Sequence, residues 1–299
     1  SPEGAYRRNA GLRMARSNDR RMRPRGYSAA LGFRCRIARM SSSKRASIVV
    51  VSFRAQSSFQ AISLGAACVV SALKAHPSVA ASASVTLADF SLEDAPFYGL
   101  SAERAGEEAA MRIAAGTGGA GAAGSGTLLV GFSVYVWNRS VVEACARKLR
   151  TLLPGCVVFA GGPEVTSSPA SWSSSSCIDY LLPGEGERSA VELAVSLLCD
   201  GSQPSSVRLE QTVGMPVKSP VLMQNLAPDL AKLPSPWLDG TLAGLPSVRT
   251  HRGALWELAR GCPYKCSYCY ESRGDKKVRH FPADRLEKEL AYFSSAGIE

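Results

Sequence analysis

From Ser47 onward, short apolar runs alternate with stretches of helical period. The apolar runs are Ile48–Phe53, Ser84–Asp89, Leu128–Val134, Cys156–Ala160 and Ile178–Leu182. They are nearly continuous in Val, Leu and Ile, which predicts parallel strands buried on both faces. Between the first two, Phe59, Ile62, Ala66, Val69 and Leu73 recur at helical spacing, and His76-Pro77 ends the run. After the third strand, Ser140-Val141-Val142-Glu143 reads as a capping box opening a helix with Val142, Cys145, Leu149 and Leu152 as its buried stripe. After the fifth, Val191, Ala194, Val195 and Leu198 form another stripe. Five strands with helical crossovers predict an α/β fold, a flavodoxin-like (Rossmann-type) doubly wound parallel sheet over residues 47–200.

Two low-complexity stretches, Gly116–Gly126 and Ser167–Ser176, read as flexible insertions. Residues 201–250 hold seven of the seventeen prolines and show no clear period, so they read as an extended linker. Residues 251–299 then form a second part. Its last helical pattern, Pro282–Ser295, finishes at Gly297, and the chain stops at Glu299. The sequence therefore reads as truncated.

Composition narrows the classes. Apolar residues make up 45% and charged residues 20%, which excludes wholesale disorder. Ala61–Leu73, the longest apolar stretch, falls short of the roughly 20 residues a spanning helix needs, so no membrane segment is expected. The net charge of +10 is a tail property. Residues 1–47 carry 13 Lys/Arg against 2 Asp/Glu, and the remainder carries 22 against 23. A uniformly basic, nucleic-acid-binding body is not expected. Residues 1–46 read as a basic disordered tail: a transit peptide, a nucleic-acid arm, or leader upstream of a start at Met40.

Ligands bind open parallel sheets beyond the carboxyl ends of the strands. There the sequence places Ser133 after the third strand, Gly161-Gly162-Pro163-Glu164 after the fourth, and Gly184-Glu185-Gly186-Glu187 after the fifth. Paired glycines let a flat or phosphorylated ligand approach the backbone. Ser133, Gly161, Gly162, Gly184, Glu185 and Gly186 are thus candidate cofactor contacts; ordinary βα turns are the alternative. Trp137 is read either as part of that edge or as a core residue capping the sheet.

Six of the nine cysteines are scattered through the chain, and only Cys262, Cys266 and Cys269 cluster. That pattern points to a reducing compartment and one metal site, not a disulfide framework. The expected compartment is the cytoplasm, or an organelle if the tail is a transit peptide. Three thiolates on one loop, with no histidine in it, would hold three irons of a four-iron cluster and leave the fourth open to an exogenous ligand. A zinc site using these cysteines with His251 or His280 is the competing reading, and with it a zinc-stabilised binding module.

At these residues the chain resembles the radical S-adenosylmethionine (SAM) enzymes, whose motif Cys-x3-Cys-x-aromatic-Cys is matched by Cys262, Cys266, Tyr268 and Cys269. Leu258–Tyr264 is similar to the approach to that family's first barrel strand and loop. The order Gly131-Phe132-Ser133, Gly-Gly-Pro-Glu, Gly-Glu-Gly-Glu, with Leu233-Pro234-Ser235-Pro236-Trp237 following, resembles the subgroup with an N-terminal cobalamin-binding-type domain. The resemblance covers about residues 47–299. It implies that 251–299 begin a radical SAM partial TIM barrel, and that Cys262, Cys266 and Cys269 hold a 4Fe-4S cluster. It implies Tyr268 against the cluster or adenine, and reductive cleavage of SAM to methionine and a 5′-deoxyadenosyl radical. The substrate, small or macromolecular, is not specified, nor is any catalytic side chain. An electron donor such as flavodoxin or ferredoxin is implied as partner, and cobalamin-dependent methyl transfer is one outcome; an iron–sulfur scaffold without turnover is another. Two departures stand out. Where His-on cobalamin domains carry Asp-x-His-x-x-Gly, this chain reads Arg54-Ala55-Gln56-Ser57-Ser58-Phe59, so any cobalamin lacks a histidine axial ligand. Only the first unit of the barrel is present, so this piece alone is expected to be inactive.

Overall fold

The computed structural model describes residues 46–58, 61–118, 126–172, 174–200, 206–208, 220–245, 248, 253–269 and 277–298. The basic tail with Met40, as well as Phe59, most of the Gly-rich stretch, much of the linker, His251 and Tyr270, lies outside the described residues.

A seven-stranded sheet has the order β2-β1-β3-β4-β5-β7-β6. Its strands are β1 (Ala46–Arg54), β2 (Ala83–Ser91), β3 (Leu128–Ser133), β4 (Val157–Gly161), β5 (Tyr180–Leu182), β6 (Ser206–Arg208) and β7 (Val221–Met223). The first five follow the expected doubly wound order, all parallel. The β1 sequence ASIVVVSFR is buried at eight of nine positions, as a central strand covered on both faces must be. β7 joins β5 in parallel and β6 closes the edge antiparallel. The stretch read as linker thus extends the sheet. Its two three-residue strands are too short to leave a periodic signal.

Helices cover both faces. On one, α3 (Ala102–Gly116) and α4 (Arg139–Leu152) bury Ala105, Ala109, Ile113, Val142, Cys145 and Leu149 against Val51, Phe53, Val130 and Phe132. On the other, α1 (Leu64–Ala75) and α6 (Gly186–Val195) bury Ala66, Val70, Leu73, Leu193 and Ala194 against Ile48, Val50, Leu129 and Phe159. The short helix α2 (Pro77–Ser82) follows α1, and α5 (Pro163–Ser167) follows β4.

Three local expectations are corrected. α4 starts at Arg139 rather than from a Ser140–Glu143 capping box, and Glu143 pairs with Arg139 at 3.1 Å instead of reaching back to the helix start. Leu152 is 38% exposed at the fraying end of that helix. β5 begins at Tyr180 rather than Ile178, because the Asp179 carboxylate takes the Val158 N–H at 2.8 Å and also receives Arg150.

A third apolar cluster joins Trp237, Leu242, Leu245, Val248 and Phe293 to Ile62 and Ala67. Phe293 belongs to α7 (Ala283–Ser295), and its ring meets Trp237 edge-on at 5.1 Å and Trp256 at 5.6 Å. This cluster packs the C-terminal part beside α1, next to a small antiparallel pair of strands, β8 (Ala259–Arg260) and β9 (Arg279–His280), with the three cysteines in the segment between them.

Candidate cofactor site

The carboxyl edge of the sheet is fixed from below by Asn138, which is fully buried. Its Oδ1 accepts from Tyr135 N–H at 2.9 Å, while Nδ2 donates to Phe53 O at 3.2 Å and Ser133 O at 3.1 Å. One side chain thereby ties the end of β1 to the turn after β3. That turn presents Tyr135, whose phenol lies beside Ser133; burial pushes its pKa up, partly offset by the Ser133 hydrogen bond. Tyr135 stacks on Trp137 with centroids 4.4 Å apart and planes 13° apart. Trp137 is 53% exposed, so it is not a core cap.

The next two turns are held together. Val134 N–H donates to Gly161 O at 2.8 Å, and Gly184 N–H donates to Thr166 Oγ1 at 2.9 Å. Gly184 has φ +80°, and a Cβ there would collide with the Asn225 carboxamide. Only glycine fits.

A cavity of about 590 Å³ opens over this edge, a size in the range of small-molecule sites, about 300–1,000 Å³. Ser133, Gly161, Gly162, Gly184, Glu185 and Gly186 line it from the sheet, and Arg260, Gly261 and Cys262 line it from the opposite side. The structure thus brings one cysteine of the triad to the same space as all six edge residues. Cys266 and Cys269 lie on the same loop, where Cys269 N–H donates to Cys266 O at 3.1 Å, but neither lines the cavity. Tyr268 is 91% exposed and is not brought to it.

The donor set fits an iron–sulfur cluster in kind: three soft thiolates on one loop, with no fourth cysteine and no histidine in its sequence. Among the described residues no three His, Cys, Asp or Glu side chains converge on one metal position. The glycine edge fits a flat ligand. Among the described residues no histidine lies on this edge: His76 sits at the end of α1 and His280 is exposed on β9. Gln56 stands where His-on cobalamin domains carry their histidine, and two residues before it Arg54 forms a buried ion pair with Asp89.

Sequence reasoning missed Arg260, Glu187, Arg279, Tyr135 and Asn225 as site residues. Arg260 and Glu187 stood beside the motifs with opposite charge, but their pairing exists only once the two parts are docked.

No protein-family model matches the chain. It is 32% identical over 186 residues to a 2-(S-pantetheinyl)-carbapenam-3-carboxylate methyltransferase of Streptantibioticus cattleyicolor, covering 57% of this chain and 26% of the relative. It is likewise 32% identical over 184 residues to the cobalamin-dependent radical SAM methyltransferase TokK of Streptomyces tokunonensis, covering 57% and 26%. A hopanoid C-3 methylase of Methylococcus capsulatus is 28% identical over 171 residues, covering 55% and 32%. The chain spans about a quarter of the length of the first two relatives. Among solved structures, OxsB, a cobalamin-dependent SAM radical enzyme, aligns with TM-score 0.55 and 15% identity over 85% of this chain and 32% of its own. TsrM of Kitasatospora setae, a radical SAM methyltransferase, aligns with TM-score 0.50 and 15% identity over 85% and 46%. The fold is that of these enzymes. With TokK a cobalamin-dependent radical SAM methyltransferase, the resemblance to radical SAM enzymes with a cobalamin-type domain holds.

Proposed function

We propose that this chain supplies the cobalamin-facing edge and the cluster-binding loop of a cobalamin-dependent radical SAM methyltransferase acting on a small molecule. The observation that carries the proposal is Cys262 facing Ser133, Gly161, Gly162 and Gly184–Gly186 across one cavity. In this reading residues 47–200 present the ligand edge, 201–250 connect, and 251–299 carry the thiols. Cys262, Cys266 and Cys269 would hold a 4Fe-4S cluster whose open iron takes SAM, and the bound groups supply radical generation and methyl carriage. The protein's own work is placement and exclusion of water. The glycine turns let a flat ligand lie against the backbone, Tyr135 offers a phenol at the cavity wall, and Tyr268 is left to close on the loaded loop. An electron donor of the flavodoxin or ferredoxin type would reduce the cluster.

The test is anaerobic reconstitution of the full chain with iron and sulfide, followed by electron paramagnetic resonance with and without SAM and by gel filtration with hydroxocobalamin. A reduced-cluster signal that shifts with SAM, and co-elution of the corrinoid, are expected. A colourless zinc protein that retains no corrinoid would overturn the proposal in favour of a zinc-stabilised binding module.

A further inference from the structure

We propose that Arg260 is the positioning residue that locks the cysteine loop onto the β5–α6 turn, joining the two sides of the cavity. The inference rests on the site reading above. The guanidinium meets three carboxylates. Nη1 donates to Glu185 on the turn at 2.8 Å and Nη2 to Glu187 at the start of α6 at 2.7 Å, while Nη2 and Nε reach Glu257 at 2.9 and 3.1 Å. Its side chain is 12% exposed and that of Glu187 4%, so the pair works in a largely dry setting. Arg279 adds a second hold on Glu185 and donates to Pro228 O at 3.1 Å.

Geometry makes this more than a surface ion pair. Arg260 lies two residues before Cys262, and between them Gly261 has φ +94°. Glycine accepts that turn without strain but does not itself hold the chain, so the ion pairs of Arg260 fix the point from which the loop starts, one residue before Cys262. A planar fork serves three carboxylates on two sides at once; an ammonium at the same place serves them as a point charge. Removing the fork would leave Glu187 buried with its charge uncompensated, which drives the turn and the strand apart.

The experiment compares the full chain with Arg260→Gln, Arg260→Lys, Glu187→Gln and the Arg260→Gln/Glu187→Gln double variant. In the unloaded protein, iodoacetamide alkylation of Cys262, Cys266 and Cys269 is timed by peptide mass spectrometry, with exposed Cys199 as internal reference. In parallel, hydroxocobalamin affinity is read from the visible spectrum. Arg260→Gln is expected to speed alkylation of Cys262 at least tenfold relative to Cys199 and to weaken hydroxocobalamin binding at least tenfold. Arg260→Lys should not rescue either, and the double variant should be milder than the sum of its parts. If Arg260→Gln does not fold, Arg260→Lys and Glu187→Gln carry the comparison. Cys262 alkylation within twofold of wild type in every folded variant would overturn the positioning role. Alkylation that depends on Arg260 in a wild-type chain binding neither corrinoid nor iron would keep the positioning role and remove the functional reading instead.

Discussion

Arg54 Nε lies 3.0 and 2.9 Å from the two carboxylate oxygens of Asp89, joining the ends of β1 and β2 with both side chains almost fully buried. Arg54 also donates to Gln56 O at 2.9 Å, and the Ser63 hydroxyl lies 2.7 Å from Asp89 Oδ1. The start of the β1 loop is thus built around a charge pair. Asp89→Asn would leave a buried guanidinium uncompensated and should cost about 3–5 kcal/mol. Urea unfolding followed by circular dichroism measures it. A loss below about 1 kcal/mol, the level of an exposed pair, would show that water reaches the site.

Asn138 makes a second prediction. Its three hydrogen bonds serve the Phe53 and Ser133 carbonyls and the Tyr135 N–H; Phe53 O keeps the Trp137 Nε1 donor at 3.4 Å, so Asn138→Ala takes this partner from Ser133 O and Tyr135 N–H. The expected cost is about 1–3 kcal/mol for each group left without a partner, reduced where water enters. Because Tyr135 and Trp137 ride on the same turn, their fluorescence should change together. A variant that loses stability with an unaltered emission spectrum would show that the turn keeps its shape without Asn138.

How much of this was legible in the sequence follows from what each feature depends on. The five parallel strands were visible because both faces are covered and the apolar runs are continuous, as in Ile48–Phe53. α3 was not, because four of the five residues on its buried face are Ala105, Gly106, Ala109 and Ala110, and Ile113 alone makes no apolar stripe. The cysteine triad was legible from spacing alone, and the glycine turns from their position after strands. The Arg260–Glu187 contact was not, since 73 residues separate the partners and nothing local signals the pairing.

The buried thiols predict an alkaline limit to stability. Burial raises the pKa of Cys68, with the Glu187 charge adding to it, and burial likewise raises that of Cys145. The folded chain therefore keeps protons that the unfolded chain releases near its ordinary value of about 8.5. Above that pH the unfolded state binds fewer protons than the native state, so the stability contributed by each thiol is complete below it and falls as pH rises towards the folded value. The slope approaches about 1.4 kcal/mol per pH unit for each thiol. Denaturant midpoints measured from pH 7 to 10 should fall, and Cys145→Ala should fall less steeply. Parallel curves for the two proteins would remove Cys145 from the account.

Gly184 gives a prediction that separates the site from the fold. Gly184→Ala places a side chain at φ +80° and into the Asn225 carboxamide. The backbone term alone is about 1–2 kcal/mol. The collision is relieved if Asn225 withdraws, so Gly184→Ala combined with Asn225→Gly should recover much of the stability. It should not recover hydroxocobalamin binding, because the added methyl still stands at the turn where a flat ligand would touch the backbone. Binding and stability measured on the single and double variants decide between the two roles. Recovery of both would show that Gly184 is needed only to pass Asn225, and full loss of both would show that positive φ dominates.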